Sequence, residues 1–151
     1  MFDHILVLCV GNICRSPVAA ALLQAKLADK TVASAGLGAL VGHEADATAA
    51  GLAKQVGLDL SEHRARQVDR DMLRKADLIL VMSEGQRAQV RALEPTVAGK
   101  TLLLAHWLPG KPDIPDPYKK SREAFEHVQG ILQNSADAWL LKLKSPPKST
   151  E

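Results

Sequence analysis

Apolar positions along the chain switch between the period of a strand and that of a helix. I-L-V-L-C-V (5–10) is an unbroken run rich in branched residues and predicts a buried strand. From Ser16 the pattern becomes helical. S-P-V-A-A-A-L-L-Q-A-K-L-A sets Ser16 as the cap and Pro17 at the first helical position, followed by favourable helix formers. T-V-A-S-A-G (31–36) predicts a short strand closed by Gly36. After a glycine-punctuated loop, Asp46 caps an expected helix to about Val56, and Asp69 starts a short one. D-L-I-L-V-M (77–82) predicts a third strand, and Ser83 or Glu84 opens a helix to about Leu93. K-T-L-L-L-A (100–105) predicts a fourth strand. Pro109, Pro112, Pro115 and Pro117 make the stretch from Leu108 to Pro117 a loop. From Tyr118 to about Leu143, apolar residues at Phe125, Val128, Ile131, Leu132, Ala136, Trp139 and Leu140 line one face of a long helix.

Strand and helix in alternation imply an α/β fold: a single domain over 1–144, built on a four-stranded parallel sheet with helices on both faces. S-P-P-K-S-T-E (145–151) is expected to be a flexible tail. Ligands in such folds bind at the carboxyl ends of the strands. The first strand ends in C-V-G-N-I-C-R-S (9–16), directly before a helix, so an anion-binding loop is expected there.

Composition narrows the chemistry. The 151 residues carry a net charge of +2, too small and too scattered to suggest a nucleic-acid partner. Lys119, Lys120 and Arg122 cluster locally, as at a solvated helix start. The opening M-F-D-H-I-L-V-L has an acid at Asp3 and no basic leader, and no apolar run is long enough for a bilayer. The expectations are a cytoplasmic protein and no stable membrane insertion. Cys9 and Cys14 are too few for a disulfide scaffold, and the five histidines are scattered singly without metal-ligand spacing. No metal and no cofactor is expected, so any cysteine chemistry should be nucleophilic or redox.

Taken alone, Cys9 reads as a buried core thiol. The stretch around it changes that reading. A short loop entering a helix turns successive backbone N–H groups inward, making an anion cradle at the positive end of the helix dipole. Gly11 and Asn12 tolerate the left-handed backbone such a cradle needs. Arg15 can hold two phosphate oxygens in a fork. The same field favours the thiolate, the nucleophilic form of a cysteine seated in it.

C-V-G-N-I-C-R-S-P, S-A-G (34–36), H-R-A-R-Q (63–67) and D-P-Y (116–118) together resemble the low-molecular-weight protein-tyrosine phosphatases. S-A-G-L-G-A-L-V-G and I-P-D-P-Y-K-K-S-R-E resemble the bacterial branch acting on tyrosine autokinases of capsule and exopolysaccharide production. The resemblance implies a nucleophilic Cys9, and an Arg15 that grips phosphate together with the loop Cys9, Val10, Gly11, Asn12, Ile13, Cys14 and Arg15. It implies Asp116 as general acid and base, although a bare aspartate between two prolines reads as a turn residue. Ser16 would donate to the Cys9 sulfur, and Asn12, Ser16, Ser34 and His63 would form a network holding the loop. His63 by itself reads equally as a surface histidine, and Arg66 as structural. Ile13, Leu40 and Tyr118 match the walls of a phosphotyrosine slot, though each alone reads as packing. Ile13 also stands where family members acting on phosphoarginine tend to carry Thr. Cys14 reads equally as a small apolar residue or, by resemblance, as a redox partner of Cys9. The implied partners are inorganic phosphate or oxyanion inhibitors and a phosphotyrosine protein, a membrane-anchored tyrosine autokinase.

Two rivals remain in view. A thioredoxin-coupled arsenate reductase shares the fold and loop but needs two more cysteines around 80 to 92, where this chain has none. A non-catalytic phosphate-binding module should lack the nucleophile or the acid, and Cys9, Arg15 and Asp116 are all present.

Overall fold

The structure is a computed structural model describing residues 2–144. The expected tail at 145–151 lies outside the described residues. Four parallel strands, β1 (His4–Cys9), β2 (Thr31–Gly36), β3 (Leu78–Val81) and β4 (Thr101–Leu103), form one sheet in the order β2-β1-β3-β4. The α/β architecture expected from the sequence is the one observed.

The central strand β1 shows why. Its side chains alternate between two buried faces. Ile5, Val7 and Cys9 join the apolar layer shared with α1 (Arg15–Gln24), α2 (Ala47–Gln55) and α5 (Arg122–Leu143). Leu6 and Leu8 join the opposite layer, with Leu73 of α3 (Arg70–Lys75), Val90 of α4 (Glu84–Leu93) and Val97. A strand buried on both faces must be apolar at every position, which is what the run 5–9 is.

Caps set most helix starts. Asp46 accepts from the N–H groups of Thr48 and Ala49, Asp69 from Met72, and Ser83 from Gln86. Two expected starts are corrected. Helix α1 begins at Arg15 rather than behind a Ser16 cap, and Pro17 is its third residue. The Ser16 hydroxyl is buried against Cys9 and Asn12 and is not available to cap. Helix α5 begins at Arg122, capped by Ser121, whose hydroxyl oxygen accepts from Ala124 N–H. The intervening residues turn instead: Lys120 N–H donates to Pro117 O, and Lys119 adopts φ 63°. The fourth strand spans only Thr101–Leu103, because Pro95–Lys100 winds into a 3₁₀ turn that the sequence did not suggest.

Both outer strands have outward-facing backbone groups already engaged. On β2, the Gln24 side chain accepts from Val32 N–H at 2.9 Å, and Arg66 Nε donates to Ser34 O at 3.0 Å. Gly36 pairs outward with the segment at Arg66 and Val68. On β4, Arg87 Nε donates to Thr101 O at 2.9 Å.

Candidate active site

The carboxyl end of β1 runs into residues 10–14 and then α1, bringing the first turn of that helix back over Cys9. Ser16 N–H points at Cys9 Sγ, 3.4 Å away, and Ser16 Oγ lies 2.9 Å from the same sulfur. No side chain caps α1. The sulfur therefore occupies the place of a capping acceptor at a helix N-terminus, where a negative charge is stabilised.

Asn12 shapes the turn. It is wholly buried and sits at φ 60°, the left-handed region that asparagine tolerates better than most residues. Its Oδ1 accepts from Arg66 N–H at 3.0 Å, which fixes the amide orientation because a backbone N–H can only donate. Its Nδ2 then donates to Ser16 Oγ at 2.8 Å and to Ser34 Oγ at 3.0 Å. A Ser16 oxygen that accepts from Asn12 keeps its own hydrogen free for Cys9 Sγ. His63 Nε2 lies 2.6 Å from Asn12 O, so that nitrogen carries the hydrogen and donates. The structure thus brings Asn12, Ser16, Ser34 and His63 into one network, with Arg66 joining through its backbone.

Arg15 is a buried cation, 4% exposed. Its Nη1 donates to Ile114 O at 2.8 Å, and its Nη2 lies 3.6 Å from Asp116 Oδ2. Its Nε is buried with no partner. A guanidinium donor left unsatisfied inside a protein is costly, and an oxyanion held in the loop would satisfy it. Asp116 is half exposed, and its Oδ1 accepts from Tyr118 N–H at 3.1 Å, which shapes the turn leading to the next wall residue.

Above the loop lies a cleft of about 120 Å³ lined by Cys9, Ile13, Arg15, Leu40, Asp116 and Tyr118 among others. The three expected walls face one space. A larger open depression of about 750 Å³ runs beside α2, lined by Glu44, Lys54 and Asp59, but holds no convergent reactive groups. The basic cluster divides. Arg122 pairs with Glu126 at 3.3 Å on its own helix, whereas Lys119 reaches over the Tyr118 ring, 5.5 Å from its centroid, and Lys120 is exposed.

Cys14 is buried, and it also borders a small apolar space with Val18, Leu52, Phe125 and Leu132. Burial first, and the nearby charges of Asp46 and Asp116 next, push its thiol far above the ordinary cysteine range. These surroundings disfavour its thiolate.

Two contributors carried no role in the sequence reading. The Ile114 carbonyl acts through backbone and leaves no residue-type signal. Gly36 does leave one, the closing glycine of S-A-G. A Cβ there would be driven into the Val10 carbonyl oxygen and crowd Ala39. Among the described residues, no group of three or more His, Cys, Asp or Glu side chains gathers as a metal site. No helix among them is long and apolar enough to cross a membrane.

Residues 4–148 match the profile of the low molecular weight phosphotyrosine protein phosphatases. The chain is 49% identical over 140 residues to the probable low molecular weight protein-tyrosine-phosphatase AmsI of Erwinia amylovora, covering 93% of this chain and 96% of AmsI. Its fold is similar to that of the tyrosine phosphatase Wzb from Escherichia coli K30 in complex with sulphate. There the TM-score is 0.92 at 44% identity, over 95% of this chain and 100% of that one. Wzb of Vibrio vulnificus in complex with benzylphosphonate aligns with TM-score 0.91 at 44% identity, over 95% and 100% of the two chains.

Gly36→Ala is expected to destabilise the protein by ~1–3 kcal/mol, the usual cost of overpacking, and to weaken inorganic phosphate binding. Denaturant unfolding and calorimetric phosphate titration would measure both. If neither changes, Gly36 has no part in holding the Val10 carbonyl and the loop.

Proposed function

This chain belongs to the low molecular weight phosphotyrosine protein phosphatases, and from that membership we propose the role of each residue in the reaction. Cys9 thiolate attacks phosphorus opposite the departing tyrosyl oxygen, forming an S–P bond as the P–O bond breaks. Arg15 and the backbone N–H groups of residues 10–15 hold the three equatorial oxygens, where charge shifts in the transition state. Asp116 delivers a proton to the phenolate oxygen as it leaves. Asp116 then takes a proton from water attacking the phospho-cysteine, and the S–P bond breaks to return thiolate and inorganic phosphate. Ser16 donates to the sulfur in both steps, stabilising it as nucleophile and as leaving group.

One observation carries most of this reading. A buried Arg15 spans the two halves of the site, donating to Ile114 O while its Nε waits in the loop without a partner. Sulphate in the E. coli K30 relative and benzylphosphonate in the Vibrio relative are the kinds of anion such a loop would take. The second of these joins a phosphonate to a ring, as phosphotyrosine joins a phosphate to one.

Cys14 we read as packing. A resolving thiol must ionise to attack an oxidised Cys9, and its buried surroundings oppose that. Cys14→Ser should therefore recover from mild peroxide with thiol reductant as fully as the parent protein. Irreversible loss confined to the variant would restore the redox role.

Asp116→Asn should slow hydrolysis of aryl phosphates with poor leaving groups by on the order of 10²–10⁴-fold, the worth of a positioned general acid. Substrates whose leaving group needs no proton should lose far less. Equal loss across a leaving-group series would remove Asp116 from that role.

The substrate we propose is the phosphotyrosine-rich tail of a membrane-anchored tyrosine autokinase governing exopolysaccharide production, met in the cytoplasm. The walls Ile13, Leu40 and Tyr118 suit a planar ring, and exposed Lys119 and Lys120 suit an acidic or multiply phosphorylated strand. Ring burial contributes ~1.5–3 kcal/mol, hence at least about a tenfold preference over phosphoserine. The measurement is kcat/KM on phosphotyrosine, phosphoserine and phosphoarginine peptides, followed by assay on the autophosphorylated kinase domain. Preference for phosphoserine or phosphoarginine, or an untouched kinase, would sink this substrate.

A further inference from the structure

The segment that carries Asp116 crosses the site without regular structure, yet its end must be held to within a fraction of an ångström for proton transfer. Three hydrogen bonds tie it to the end of β3 and to the starts of α1 and α4, and they fall on two adjacent residues. Ile114 N–H donates to Met82 O at 2.8 Å, just past the end of β3. Ile114 O accepts from Arg15 Nη1 at 2.8 Å. Asp113 Oδ1 accepts from Glu84 N–H at 3.0 Å, at the first residue of α4.

The last of these is the only one of the three in which the segment itself supplies a side chain. Glu84 N–H is among the donors a helix start leaves free, and a carboxylate meets it there with a charge-assisted bond favoured by the helix dipole. Helix α4 has its own cap in Ser83, which serves Gln86 N–H. Asp113 is thus an acceptor supplied from another segment, one that fastens the loop to the helix. Pro112 precedes it and Pro115 follows Ile114, so a displacement at Asp113 has few free torsions to absorb it before Asp116.

We propose that Asp113 is a positioning residue for catalysis: by accepting the Glu84 N–H it keeps the Ile114 carbonyl on Arg15 and the Asp116 carboxylate at the mouth of the loop. The inference rests on Asp116 being the general acid. Asp113 itself is exposed, so its truncation opens no core cavity. What is lost is the register of the acid.

The experiment compares kcat/KM, which reports the step that expels the leaving group, for two aryl phosphates, one with a phenol-like and one with a nitrophenol-like leaving group, in the parent protein, Asp113→Ala, Asp113→Asn and Asp116→Asn. The ratio of the two rates does not depend on how much of each preparation is folded. Asp113→Ala should lower the phenol-like rate by about tenfold relative to the nitrophenol-like rate, the worth of one charge-assisted bond. Asp113→Asn keeps an acceptor oxygen and should recover most of that ratio. An unchanged ratio in Asp113→Ala, or an Asn variant no better than Ala, overturns the proposal while leaving the acid in place if Asp116→Asn shifts the ratio. A ratio unmoved by Asp116→Asn overturns the acid assignment and this proposal with it.

Discussion

The side-chain amide of Asn12 is the point on which the carboxyl end of β1 depends. A buried residue at φ 60° costs conformational energy, and it persists because every polar atom of that side chain is satisfied. Ser16, Ser34 and the Arg66 backbone take up the amide, while His63 holds the Asn12 carbonyl. Two other stretches of chain, one at Ser34 and one carrying His63 and Arg66, converge on this residue of the loop. Partial satisfaction would be worse than an apolar turn, since each unpaired group would carry its own desolvation cost. The loop is therefore shaped before any anion arrives, and binding need not supply the energy of ordering it.

Arg15 sets the second constraint. A buried guanidinium must be matched, and the matching groups here come from 99 residues downstream. The bond to Ile114 O and the approach to Asp116 make the cation a hinge-pin between the Cys9 loop and the proline-rich segment. The Cys9 loop and Asp116 are thereby coupled through one side chain. Displacing the segment would take the Ile114 carbonyl from a buried guanidinium, and the cost of leaving that charge unmatched opposes such movement.

Much of this was readable from residue types. β1 is apolar throughout because both its faces are covered, and Asp46, Asp69 and Ser83 announce their helices through local capping bonds. Cys9, Arg15 and Asp116 do meet at one cleft, and Ile13, Leu40 and Tyr118 do face it. The errors have a common cause. Ser16 looks like a cap in isolation, but tertiary contacts claim its hydroxyl. Tyr118 to Ser121 look helical, yet the turn closed by Lys120 on Pro117 delays α5 to Arg122. Ile114 and the Arg66 N–H act through backbone atoms that every residue has, and no pattern of side chains could single them out.

The staples along the sheet's outer strands bear on how a substrate can be held. Many proteins grip an extended peptide by letting it add to an open strand, with backbone ladders supplying affinity and alternate pockets supplying selectivity. Here Gln24, Arg66 and Arg87 already occupy outward groups of β2 and β4, and β4 is three residues long. Among the described residues, a partner chain meets outer strands whose outward groups are interrupted by these bonds. Under the proposed function, a substrate would then be held by the side chain it lowers into the cleft and by charge at the rim. Such recognition reads little of the flanking sequence. On the substrate proposed above, several phosphotyrosines of one chain would then be nearly equivalent.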